Sequence, residues 1–296
     1  PFRSPLTEAG VNVKQGDYII AVDGVAANSV QNFYQLMENK AGRVVRLSVN
    51  SKASASGART VDVKTQGSEE GLRYLDWVQQ RRAMVDKLSG GRIGYIHLPN
   101  TLFEGNRELF KQFPAQITKE ALIVDDRYNG GGFIPDRMIE ILARKPLNYW
   151  KRRGLEPQAQ PFLSHRGPKA MLINGLSSSG GDALPFYFRE LKLGTLIGTR
   201  TWGGLIGLSG NPGLVDGGSV SAPTFRFTDE DGNWAVEDEG VSPDIEVVDT
   251  PHLVAQGRDP SLEKAVEVLL AELAKNPIKP ISAPPAPSDF GKPGEQ

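Results

Sequence analysis

Two short apolar runs, residues 121–124 (Ala-Leu-Ile-Val) and 170–173 (Ala-Met-Leu-Ile), constrain the fold of this chain most. Neither alternates polar with apolar residues, so each reads as a strand buried on both faces. Both end in a cluster of small and polar residues, and helix-compatible sequence follows each. The same rhythm continues around them. Residues 92–98 and 195–198 read as further strands, and 104–113 and 135–143 as helices. Strands and helices alternating in this way indicate an α/β sheet with functional groups at the strand ends. After Gly217 the pattern turns to β, through 219–227 and 245–248. Asp259-Pro260 opens a last helix, with an acceptor at the cap and proline at the first helical position. Leu262, Ala265, Val266, Leu269, Leu270 and Leu273 form its apolar stripe.

The N-terminal part has a different texture. Gly16-Asp17 and Asp23-Gly24 are turns on either side of a strand at 18–22. Val30, Phe33 and Met37 recur at helical spacing, and 44–49 and 60–63 read as strands around a Ser/Ala/Gly loop. Residues 69–88 are charged and helix-compatible, with Leu72, Leu75, Val78, Met84, Val85 and Leu88 as the stripe to be buried. The expected organisation is a β-rich module over 1–66, a connecting helix over 67–90 and a core over 91–257. A helix over 258–275 and a Pro-rich flexible tail over 276–296 follow. A length of 296 residues suits about two domains.

Composition narrows the chemistry. A net charge of −1 gives no reason to expect nucleic acid as a partner. No run of 18 apolar residues predicts a membrane span. The chain has no cysteine, which excludes disulfides and thiol catalysis. Three scattered histidines without His-Glu-x-x-His spacing argue for no metal and no cofactor. No signal peptide is visible, and Pro1-Phe2-Arg3 suggests that sequence upstream is missing. A cytoplasmic location is the default expectation, with the periplasm left open.

Two loops carry candidate chemistry. Residues 174–182 read Asn-Gly-Leu-Ser-Ser-Ser-Gly-Gly-Asp and place serine hydroxyls at a strand-to-helix turn. A serine nucleophile needs this setting, an exposed oxygen with backbone N–H groups nearby for a developing oxyanion. A plain serine-rich turn is the alternative. Residues 125–132 read Asp-Asp-Arg-Tyr-Asn-Gly-Gly-Gly directly after a strand. Three glycines let the backbone turn its N–H groups toward a ligand. The loop is half of an oxyanion hole or an ordinary tight turn. A phosphate cradle is discounted, because the G-x-x-x-x-G-K-[ST] spacing is absent.

Together, D-x-R-x-N-x-G-G after one strand and N-x-x-x-x-S about 45 residues later resemble the core of the C-terminal-processing and tricorn-type serine proteases. The early segment S-P-L-x-x-A-G-V-x-V-x-x-G-D-x-I-x-x-V-D-G resembles a PDZ module, here truncated or permuted. The resemblance runs from about residue 4 to residue 251. It implies a crotonase/ClpP-like α/β core (α+β overall) preceded by the partial PDZ-like module. It matches Ser179 to the nucleophile, with Ser177 and Ser178 as competitors. It matches the N–H groups of Gly131 and Gly180 to the oxyanion donors. Asp125 and Arg127 match positions read as a structural ion pair bracing the loop.

The C-terminal-processing branch uses a lysine 25 residues beyond the serine. That position is Gly204, and neither Arg200 nor Lys192 is a suitable base, so a Ser–Lys dyad is not expected. The tricorn branch uses a histidine, a preceding serine, the nucleophile and a glutamate. Its acid matches Glu237, with Glu239 as fallback and a solvated acidic loop as the plain alternative. Its histidine precedes the PDZ module, so the base is expected upstream rather than at His97, His165 or His252. Asp182 and Asp136 are candidate pocket acids, although acids at helix starts explain both. The expected function is acyl transfer from unfolded peptides to Ser179 followed by hydrolysis, in a homo-hexamer. The alternatives are a non-catalytic peptide-binding or scaffold protein on the same fold, and a crotonase-like acyl-CoA enzyme.

Overall fold

The computed structural model describes residues 3–152, 154–279 and 281, in two compact units, Pro1–Gln80 and Arg81–Gln296. The first unit holds a four-stranded antiparallel sheet. Its strands are β1 (Tyr18–Val22), β2 (Val25–Ala26), β3 (Val44–Asn50) and β4 (Arg59–Lys64), in the order β2-β1-β3-β4. β3 alternates, with Val45, Leu47 and Val49 buried and the residues between them more exposed. This single apolar face closes a small core with Val11, Val22, Leu36, Val61 and Val63. The helical spacing from Val30 to Met37 produces only a short 3-10 turn at Phe33–Met37, the second after one at Ala27–Ser29. Asn32 caps the second turn through Tyr34 N–H at 3.0 Å, and the segment ends at Met37, too short for an α-helix. Helix α1 (Glu70–Ser89) follows. Val78 and Val85 are buried, whereas Leu88 at the end of the expected stripe is 45% exposed. Ser89 is buried in its place, and its hydroxyl accepts from Ile93 N–H at 3.2 Å.

The second unit is built on a five-stranded, wholly parallel sheet. Its elements in chain order begin with β5 (Ile93–His97), α2 (Phe103–Gln112), β6 (Ala121–Asp125) and α3 (Pro135–Leu142). A short hairpin of β7 (Asn148–Trp150) and β8 (Gln158–Gln160) comes next, then β9 (Lys169–Ile173), α4 (Gly180–Glu190) and β10 (Gly194–Gly198). β11 (Ile245–Glu246), α5 (Pro251–Ala255) and α6 (Pro260–Lys275) complete it. The strand order is β11-β10-β9-β6-β5. Every residue of β5, β6 and β9 is buried, as expected of parallel strands covered on both faces. The core joins Leu122, Val124, Met171 and Ile173 to Leu109 and Phe113 and to Met138, Leu142, Leu184 and Phe188.

α6 packs against β6, β9 and β10, capped by Asp259, whose side chain accepts from Leu262 N–H at 3.2 Å. Of its stripe, Leu262, Ala265, Val266, Leu269 and Leu273 are buried. Of the β pattern beyond Gly217, the 245–248 part yields β11 (Ile245–Glu246), whereas the 219–227 part does not become a strand. Segment 219–227 is largely exposed and pairs only through isolated bridges such as Gly207 with Phe225, so nothing buries an apolar face to extend a ladder. Most of the tail reading at 276–296 falls outside the described residues.

Candidate active site

The site forms where β6 and β9, neighbours in the sheet, both release the chain at their C-terminal ends. After β9 the turn is tied by Ser177, whose hydroxyl donates to Asp126 carbonyl at 2.8 Å and accepts from Asn174 N–H at 3.3 Å. Ser177 is fully buried and committed to the fold. Ser178 is held through its backbone, which donates to Asn129 carbonyl at 2.9 Å. Ser179 stands apart. Its backbone has φ 55° and ψ −115°, a conformation that costs an ordinary residue about 1–3 kcal/mol. Such a strained strand-to-helix turn lifts a side chain out of the sheet, as in a nucleophile elbow. Ser179 borders a cavity of about 350 Å³ walled by Phe133, Pro135, Ala183, Tyr187, Leu205 and Phe227.

The β6 exit loop is braced from below. Arg127, 3% exposed, forms a fork with Asp125 at 2.9 and 2.6 Å and reaches Asp259 at 2.8 Å and Asp249 at 3.0 Å. Tyr95 donates its hydroxyl to Asp125 at 2.7 Å. Burial opposes the Asp125 charge, but the Arg127 guanidinium overcomes it and holds this carboxyl below its ordinary value. Its neighbour Asp126 has no such partner, and burial pushes its carboxyl well up. Asp126 orients Asn129, whose amide donates to it at 2.8 Å. Asn129 in turn accepts from Gly131 N–H at 2.9 Å.

That last bond corrects the expected oxyanion pair. The Gly131 N–H is turned to Asn129 and is not free to face a substrate. Gly131 instead supplies room, since a Cβ there would lie 2.7 Å from Ser179 Cβ. The adjacent Gly132 N–H and the Gly180 N–H make no hydrogen bond among the described residues. The two residues pack closely, because a Cβ on Gly180 would run into Gly132 O and fall 2.9 Å from Gly132 N. The run of three glycines pointed to this donor, but only the side-chain bond of Asn129 tells Gly131 from Gly132.

Residues 92–247 match peptidase family S41, a serine peptidase family, and residues 1–68 match the tricorn protease PDZ domain. The chain belongs to peptidase family S41. It is 39% identical over 277 residues to tricorn protease homolog 1 of Streptomyces coelicolor, covering 94% of this chain and 26% of that protein. With the tricorn protease of Thermoplasma acidophilum it shares 35% identity, over 92% of this chain and 25% of that one. The crystal structure of the tricorn protease superposes with a TM-score of 0.86 at 35% identity, covering 92% of this chain and 26% of the other. The chain spans about a quarter of the length of these relatives.

Within this S41 core the remaining expected residues find varied positions. Glu237 does not reach Ser179 directly. Its Oε2 accepts from the N–H groups of Leu205 and Ile206 at 2.6 and 2.7 Å, both residues of the cavity wall. Glu239 is exposed, and its carbonyl rather than its carboxylate is engaged, by Arg200 at 2.8 Å. Asp182 is not a pocket acid. It is fully buried and accepts from Gly203 N–H at 2.8 Å and Gly204 N–H at 3.4 Å, so it pins the 201–204 loop to α4. Burial raises its carboxyl, and the hydrogen bonds from Thr201 and the loop oppose this. Asp136 lines a separate, neighbouring cavity. A side chain at Gly204 would run into the Trp202 ring, and no lysine lines the Ser179 cavity.

None of the three histidines lines it either. His97 is buried on β5 with Nε2 3.0 Å from Arg127 carbonyl, and burial lowers its ring. His165 is buried against Lys119 carbonyl at 3.0 Å, and burial together with Lys169 lowers it to about 4. His252 is exposed on α5. Among the described residues no group of acids and histidines is arranged to hold a metal ion, and no helix is long and apolar enough to cross a membrane.

Removing the Glu237 carboxylate strands two backbone donors beside the cavity, each loss worth about 1–3 kcal/mol. Glu237→Ala is expected to lower kcat/KM for peptides at least tenfold. Glu237→Gln, which keeps an acceptor oxygen, is expected to retain more, and steady-state kinetics on the two variants checks both.

Proposed function

We propose that this chain is the catalytic part of a tricorn-type serine peptidase that acts on peptides through an acyl-enzyme at Ser179. The observation that carries this reading is the strained Ser179 backbone beside two unengaged N–H groups, facing an apolar cavity. Ser179 Oγ attacks a peptide carbonyl, and the amine leaves after taking up a proton. Water then attacks the acyl carbon and releases the acid. Gly132 and Gly180 N–H are the oxyanion donors. The apolar walls favour an apolar or aromatic side chain next to the cleaved bond. Glu237 positions the 205–206 wall and is a member of the catalytic set through that wall.

By the resemblance the proton acceptor is a histidine outside residues 1–296, and the positions of His97, His165 and His252 away from the Ser179 cavity are consistent with this. A homo-oligomer, hexameric by the resemblance, is the form in which we expect it to work. A serine-reactive phosphonate tests the reading in the full-length protein. A covalent adduct on the peptide containing Ser179, absent from Ser179→Ala, is the expected mass-spectrometric result. An unlabelled Ser179 beside intact peptide binding would overturn it in favour of a non-catalytic peptide-binding protein.

A further inference from the structure

Lys169 is the first residue of β9, at the end of the strand opposite the Ser179 turn and roughly 13 Å along it from Ile173. It is only 8% exposed. Buried lysines are ordinarily ion-paired, because an unpaired ammonium loses its hydration without compensation. This one has no carboxylate partner among the described residues. Its Nζ donates to the carbonyls of His165 at 3.2 Å and Gly167 at 3.4 Å. An ammonium carries three donors, so one remains.

Lys169 lines a cavity of about 420 Å³ together with Lys145, Arg166 and Lys192. None of the four is in a salt bridge among the described residues, and no carboxylate lines the cavity. Arg166 lies over the ring of Tyr149, itself a residue of the cavity wall, at 5.8 Å and donates to Lys279 carbonyl at 3.0 Å. The four cations line one cavity that no anion lines, and burial with the charge of Lys145 brings the Lys169 ammonium down to about 8. His165, lowered to about 4, is neutral there and contributes no charge of its own near neutral pH.

We propose that this cavity binds the phosphate group of a small molecule, with Lys169 as its buried anchor and Lys145, Arg166 and Lys192 around it. A phosphate supplies close to two negative charges and three strong acceptor oxygens, which suits several donors better than a single carboxylate does. The volume lies in the range of pockets that hold small organic ligands, and Pro146 and Tyr149 offer an apolar wall to the rest of such a molecule. The site is separate from the Ser179 cavity and shares no lining residue with it.

Isothermal titration of the full-length protein with inorganic phosphate, pyrophosphate and adenosine monophosphate, at low and at physiological salt, tests this. The expected result is saturable binding of at least one probe that persists at physiological salt. Lys169→Met, which keeps the stem and removes the charge, is expected to weaken it at least tenfold. The double variant Lys145→Ala/Lys192→Ala changes only exposed residues, so it carries the same test should Lys169→Met fail to fold, with the same expected loss. Lys40→Ala, a cation of the N-terminal sheet unit, is expected to leave binding unchanged. Tighter binding of the nucleotide than of phosphate supports an organic phosphate as the source, and equal binding supports the free anion. Absence of saturable binding by all three probes, or binding unaffected by the lysine substitutions, overturns the proposal. Peptidase activity is not the readout, so failure here is distinct from failure of the Ser179 assignment.

Discussion

Ser179→Ala in the full-length protein is expected to reduce turnover of fluorogenic peptides by a factor on the order of 10⁴ or more. Losing the nucleophile abolishes the covalent route and leaves only what the oxyanion donors and binding supply. The backbone at this position stays at its strained φ of 55° with either residue, so stability should move by no more than about 0.5 kcal/mol. Ser178→Ala is the paired control and is expected to keep its activity, because the role of that residue runs through its backbone N–H to Asn129. Ser177→Ala is expected to lose stability instead, since its hydroxyl joins Asp126 carbonyl to Asn174 N–H in the interior. An active Ser179→Ala with an inactive Ser178→Ala would move the nucleophile by one residue and overturn the assignment.

The largest expected loss of stability is at Arg127. Replacing it with Met leaves Asp125, wholly buried, with Tyr95 as its remaining side-chain donor, while Asp259 keeps its 2.6 Å ion pair with Arg81. Breaking a buried pair from one side costs about 3–5 kcal/mol, which for a unit of this size lowers the melting temperature by roughly 10 °C. Arg127→Lys should rescue little, because a point charge cannot reproduce a fork that serves Asp125 and Asp259 together.

The pH dependence should reverse with the substitution. In the native protein the Asp125 carboxyl is held below its ordinary value despite burial. Its contribution is therefore present above about pH 4 and lost as pH falls below that. Without Arg127, burial alone raises the same carboxyl, so the variant should lose stability as pH rises from about 4 toward neutrality. Melting curves at pH 4.5 and pH 7.5 read this directly. A penalty equal at both pH values would show that the Asp125 charge is not what Arg127 balances. The β6 exit loop also carries Asn129, Gly131 and Gly132, so Arg127→Met should reduce activity in the fraction that remains folded.

The parallel core was legible because β6 and β9 carry short unbroken apolar runs, 121–124 and 170–173, a pattern set by burial on both faces. The start of α6 was legible because Asp259 and Pro260 encode a cap locally. Local signals misled where they had no partner in space. The 219–227 segment alternates like a strand but finds no ladder, and Leu88 continues a helical stripe past the point where anything covers it. The β7–β8 hairpin, three residues a side, is too short to leave a periodic signature.

At the site the division is finer. Residue type and spacing marked the serine turn at 174–182 and the glycine loop at 125–132, because a nucleophile turn and a close backbone approach demand small residues, and the family resemblance singled out Ser179 and Glu237. Three facts depended on side-chain hydrogen bonds, one reaching two residues along the loop and two reaching across 21 to 32 residues of chain. The Asn129 side chain claims the Gly131 N–H and leaves Gly132 free, Asp182 turns inward to the 203–204 backbone, and Glu237 reaches the cavity wall rather than the serine. A hydrogen bond between segments is decided by where the sheet places their ends, and no local pattern in the sequence records it. The sequence by itself determined which atoms are available for chemistry here. Only the tertiary structure decided which of them are already engaged.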